Sequence, residues 1–160
     1  MKNSKVTNVV FGGLGGQGVL KASDIMAMAA FEAGLDVKKS EIHGMAQRGG
    51  SVTSDVRYGT MVLSPMVPAG EADFVVVLSP EEVDNNRRHL RAGGVFITPD
   101  AIDAARLPNS RSLNVALLGL LSVHLDIPES CWHVALKANL PEKVVEANLA
   151  AFALGKSSKI

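Results

Sequence analysis

FGGLGGQGVL, residues 11–20, places five glycines in seven positions directly after an apolar run. Glycine loses more backbone freedom on folding than any other residue, at roughly 0.5–1 kcal/mol relative to alanine inside a regular element. A plain turn rarely needs so many. The segment before it, VTNVVF (6–11), is β-prone and apolar, and it predicts a buried strand. The segment after it, 19–34, reads as a helix stopped at Gly34. LDVKKSEI (35–42) follows as a short strand with Lys38 and Lys39 in its middle. Strand, glycine turn, helix and strand make a βαβ unit, which is expected to be parallel and right-handed.

Gly13-Leu14-Gly15-Gly16-Gln17-Gly18 fits G-x-G-x-x-G in the context that gives the pattern meaning, after a strand and opening a helix. Bare backbone there can approach a phosphate, and a helix amino end adds about half a positive charge. A nicotinamide dinucleotide is one candidate ligand. Its ribose wants an acidic residue near the end of the second strand, where Glu41 lies. Lys38 and Lys39 precede that position and suit further phosphate instead. The loop therefore points to a phosphate-bearing ligand more firmly than to a nicotinamide.

Further along, HGMAQRGG (43–50) predicts a loop. SVTSDVRYG (51–59) alternates like a half-exposed strand, and MVLSP (61–65) suggests a small edge strand. ADFVVVLSP (72–80) is apolar on both faces, as in the middle of a parallel sheet. Ser79-Pro80-Glu81-Glu82 opens a helix expected to run to about Arg91, followed by a strand over 94–100. Helices follow over 113–125, 129–136 and 141–154. Strands alternating with helices predict a single domain over 1–160. Its expected fold is α/β and Rossmann-like, in three layers, with a mostly parallel sheet and helices on both faces. Ligands of such folds sit beyond the carboxyl ends of the strands.

Composition narrows the chemistry. Sixteen basic side chains balance sixteen acidic ones, which gives no reason to expect nucleic acid or an anionic membrane surface as partner. The opening MKNSKVTNVV lacks a signal-peptide apolar run, and no segment approaches the roughly 18 apolar residues of a membrane span. The lone Cys131 cannot form an internal disulfide or hold an iron–sulfur cluster, and it fits a reducing cytoplasm. No zinc pattern or nucleophile elbow is present, so no metal is expected. His89, His124 and His133 read as ordinary helix residues, and Cys131 as a small hydrophobe beside Trp132.

GGQG (15–18), followed by HGMAQRGG (43–50), resembles the gamma-type small subunits of 2-oxoacid:ferredoxin oxidoreductases, with similarity running over 12–59 and more loosely beyond. EIHGMAQRGGSV (41–52) is most similar to the beta subunit of the indolepyruvate enzymes. The resemblance implies one subunit of a hetero-oligomer that oxidatively decarboxylates a 2-oxoacid to an acyl-CoA and passes electrons to ferredoxin. It implies thiamine diphosphate and iron–sulfur (4Fe–4S) clusters on a large partner subunit, and coenzyme A held partly by this chain. Carried over position by position, the coenzyme A residues are Gly13, Gly15, Gly16, Gln17, Gly18, Lys38 and Lys39, with Asn114 as a further polar position. His43, Gln47, Arg48, Gly49 and Gly50 form a loop that meets either substrate or the partner subunit. A freestanding module for coenzyme A or a nucleotide, and a nicotinamide-dependent enzyme, remain open beside this reading.

Overall fold

The computed structural model describes residues 5–44 and 49–160. Gln47 and Arg48 lie outside the described residues. Five strands form one sheet in the order β2-β3-β1-β4-β5. They are β1 (Thr7–Leu14), β2 (Asp36–His43), β3 (Ser51–Gly59), β4 (Ala72–Val77) and β5 (Leu90–Ile97). β1 pairs parallel with β4, and β4 parallel with β5. β3 is antiparallel to both of its neighbours, β1 and β2. Four strands therefore share one direction, and the sheet is mixed.

β1, α1 (Val19–Glu32) and β2 form the expected strand–helix–strand unit, and β2 does run parallel to β1. The two strands are not hydrogen-bonded to each other. The chain turns back after β2, and β3 inserts between them. β3 is consequently interior rather than half-exposed. Val56 is fully buried, and Ser54 reaches the Ser23 hydroxyl at 2.8 Å across the α1 interface.

Side chains alternate across each strand and separate two cores. On one face Val9, Phe11, Val56 and Val76 pack beneath α1, α3 (Leu113–Ser122), α4 (Glu129–Asn139) and α5 (Glu142–Ser157). On the other, Val10, Val75 and Val77 are covered by the segment around α2 (Val83–Asn86) and by Val67 of the 60–71 loop.

Three local expectations are corrected. MVLSP forms no strand. That loop is instead pinned by side chains, with the Val62 N–H donating to Asp36 at 2.7 Å and the Val67 N–H to Asp55 at 2.9 Å. The helix opening at Ser79 breaks into 3₁₀ and α pieces over 80–89, because its run of Asp, Asn and His is poor helix former and Ser79 makes no capping bond. β5 begins at Leu90, so Gly93 and Gly94 lie inside it, beside a register shift against β4. α1 ends as expected, in a Schellman pair from Leu35 to Ala30 and from Gly34 to Phe31.

α3 is apolar on all sides and is buried along nearly its whole length. It crosses α5 at two glycines. A Cβ on Gly119 would fall on the Phe152 backbone, and one on Gly155 on the Ala116 carbonyl. The two backbones touch with no side chain between them.

Asp55 is buried on the thinly covered face. Burial pushes its pKa up, against the Val67 N–H and the nearby His89 and Arg57 charges. Burial, together with Arg88, holds His89 down. A carboxyl raised in the folded state favours folding while protonated, and that stabilisation is lost as pH climbs through its folded value. Asp55→Asn retains an acceptor for Val67 and removes the charge. The expected result is a urea midpoint that gains on the wild type progressively as pH rises above about 4, the ordinary carboxylate value. A gap between the two proteins that stays constant over this range would refute it.

Candidate functional site

The site is built at the carboxyl end of β1. There the chain turns through residues 15–18 and enters α1 at Gly18. Two bonds close the turn: the Leu14 N–H donates to Gln17 Oε1 at 2.7 Å, and the Gln17 N–H donates to the Leu14 carbonyl at 3.2 Å. The Gln17 side-chain oxygen thus shapes the loop. Gly13 sits in β1, where a Cβ would press on Val19 and on Gln17 Oε1. Gly18 is in the left-handed region at φ 85°, and Asn114 stands where its Cβ would be. Among the described residues, α1 starts with no side-chain cap and no acidic residue in its first turn. Its first N–H groups are left for another acceptor.

Asn114, in the first turn of α3, is 7% exposed and donates from Nδ2 to the Gly18 carbonyl at 3.3 Å. It joins the glycine turn to a second helix start. A cleft of about 510 Å³ opens there, with Gly16, Gly18, Ser110, Arg111 and Asn114 on its walls. A second cleft of about 520 Å³ adjoins it and shares Gly18, Ser110, Arg111 and Asn114. It continues to Lys21, Val144 and the buried Asn148. The amino-terminal turns of α1, α3 and α5 therefore meet around one hollow. Among the described residues, neither cleft has an aspartate or glutamate in its lining. The uncapped start of α1, with Lys21 and Arg111 beside it and no carboxylate among the described lining residues, makes a place for an anion.

Gly49 and Gly50 reach the same place from the other side. The Gly15 N–H donates to the Gly50 carbonyl at 2.9 Å, and Gly49 lies beside Gly15. His43 is exposed at the end of β2, 4.0 Å from Glu41.

Lys38 and Lys39 are not brought to the glycine turn. β2 is an edge strand with β3 between it and β1, and consecutive strand residues point to opposite faces. Lys38 stands 3.5 Å from Asp36 on the thinly covered face. Lys39, on the α1 face, is ion-paired to Asp24 and reaches Glu41 at 2.9 Å. Burial pulls the Lys39 ammonium down, but its bonds to Asp24 and Glu41 outweigh this and set its pKa above the usual lysine value.

The model of the family described as pyruvate ferredoxin/flavodoxin oxidoreductase matches residues 8–108. The chain belongs to this family. It is 33% identical to the indolepyruvate oxidoreductase subunit IorB of Pyrococcus horikoshii, over 94% of this chain and 95% of that one. It is also similar to the crystal structure of the keto/oxoacid ferredoxin oxidoreductase gamma subunit from Geobacter sulfurreducens, at 26% identity, with TM-score 0.76 and coverage of 93% and 95%. The fold recurs in the 2-oxoglutarate:ferredoxin oxidoreductase of Magnetococcus marinus, with TM-score 0.84 at 23% identity. That match covers 97% of this chain and 31% of the larger one, whose structure carries 2-oxoglutarate, coenzyme A and succinyl-CoA.

The chain has one cysteine, and among the described residues there is no group of three or more His, Cys, Asp or Glu side chains placed to hold a metal ion. Sequence reasoning missed Lys21, Arg111 and Asn148. Asn148 carried a readable signal, a polar residue on an otherwise apolar helix stripe. Arg111 carried none, because only the tertiary fold brings NSRS (109–112) over the glycine turn.

Proposed function

We propose that this chain is the small subunit of a 2-oxoacid ferredoxin oxidoreductase of the cytoplasm, acting on indolepyruvate or a related aryl pyruvate. In this reading it holds coenzyme A in the cleft above Gly16–Gly18. The observation that carries the proposal is the uncapped start of α1 opening into a hollow free of carboxylates. The similarity to a subunit named for indolepyruvate supports the substrate class, and the coenzyme A in the Magnetococcus enzyme supports the ligand. The chain's own part is to bind and to orient. The main-chain N–H groups of Gly16, Gly18 and the first turn of α1 receive the pyrophosphate, and the Asn114 amide fixes the turn against α3. Electron transfer and decarboxylation belong to the large partner subunit, which carries thiamine diphosphate and iron–sulfur clusters, with ferredoxin as acceptor.

The test is co-expression with a large subunit bearing thiamine and ferredoxin-type cysteine motifs. The expected result is a stable complex that reduces ferredoxin and forms an acyl-CoA when given indolepyruvate and coenzyme A. A chain that purifies alone in the presence of that partner, or a complex that reduces ferredoxin with no dependence on coenzyme A, would overturn the reading.

A further inference from the structure

We propose that Lys21 and Arg111 form a subsite for the 3′-phosphate of coenzyme A, and that they make the complex selective for coenzyme A over its 3′-dephospho form. This inference rests on the placement of coenzyme A at the glycine turn. The ligand carries its pyrophosphate and its 3′-phosphate on the same ribose, so a site for the first needs a neighbouring site for the second. The two clefts provide that arrangement. They meet along Gly18, Ser110, Arg111 and Asn114, and the cleft away from the glycine turn is the one that adds Lys21.

The two cations there have charge to spare. Lys21 Nζ donates to the neutral Asn139 carbonyl at 3.0 Å, which leaves its charge uncompensated. The Arg111 backbone N–H is held by Asn109 Oδ1 at 3.0 Å, while its guanidinium makes no ion pair among the described residues. By contrast, Lys38 and Lys39 are occupied by Asp36, Asp24 and Glu41. A guanidinium fork and an ammonium point charge are well matched to a phosphate dianion. Leu140 and Val144 give the same cleft an apolar wall, suited to the adenine that accompanies this phosphate.

The experiment compares kcat/KM for coenzyme A and for 3′-dephospho-coenzyme A in the assembled complex. The wild type is expected to prefer coenzyme A by roughly ten- to a hundredfold, the range of one charged hydrogen-bonded contact. In the Lys21→Gln/Arg111→Gln double variant the ratio is expected to approach one, with each single variant in between. A ratio near one in the wild type, or a wild-type ratio retained in the double variant, overturns the assignment. Gly18→Ala, run in parallel, separates the two levels. If it raises the coenzyme A KM while the double variant keeps its selectivity, only the 3′-phosphate subsite falls. If it leaves that KM unchanged, the placement of coenzyme A falls as well.

Discussion

Gly155→Ala lowers the melting temperature by on the order of 10 °C, the expected consequence of about 3 kcal/mol or more of lost stability in a chain of this size. The reason is geometric. The α3–α5 crossing brings the Gly155 Cα against the Ala116 carbonyl and leaves no room for a methyl group. The obstacle is backbone in the middle of a buried helix, not the movable end of a side chain. To admit a Cβ, the helices must separate and lose packing along the whole contact. Gly119→Ala makes the same demand from the other side, against Phe152. Because the two sites share one contact, their effects will not add, and the double variant should cost less than the sum. Urea unfolding and a thermal scan measure the loss. A Gly155→Ala protein that melts with the wild type would show that the helices do not meet as described.

Gly18→Ala has the largest expected effect on function. Alanine at φ 85° costs roughly 1–2 kcal/mol, as for any non-glycine residue in the left-handed region. The new methyl also displaces Asn114 from the Gly18 carbonyl. Both changes pull the first N–H groups of α1 out of alignment. Losing two charge-assisted contacts at 1.5–3 kcal/mol each raises the KM for coenzyme A by about a hundredfold or more. Assembly with the large subunit should survive. Steady-state kinetics with coenzyme A varied, alongside gel filtration of the complex, reads both quantities. A KM within a factor of about two of wild type would place the ligand elsewhere.

Much of the fold is legible in the sequence. The apolar run over 74–78 read as an interior strand, as β4 is, and the glycine turn between strand and helix marked the candidate site. Asn114 was named through resemblance, and the fold puts it between two helix starts, bonded to the Gly18 carbonyl. What was not legible is long-range. Nothing in SVTSDVRYG says that it doubles back to lie between β2 and the first strand. That insertion puts Lys38 and Lys39 on an outer strand, although their neighbourhood in sequence had suggested a joint task. The period of a strand already assigns adjacent residues to opposite sides, so the pairing of the two lysines came from likeness and not from geometry. The broken helix over 80–89 was missed because its opening signals, Pro80 and two acids, are those of a sound helix, while the weak Asp-Asn-Asn stretch behind them sets its length.

The meeting of three helix amino ends bears on the conditions under which the cleft works. Peptide dipoles have no proton to gain or lose in the physiological range, unlike a histidine or a thiol. Attraction that originates in the main chain therefore stays constant from mildly acidic to mildly alkaline medium. In the proposed role, the main-chain share of carrier capture is therefore expected to be indifferent to pH over that range.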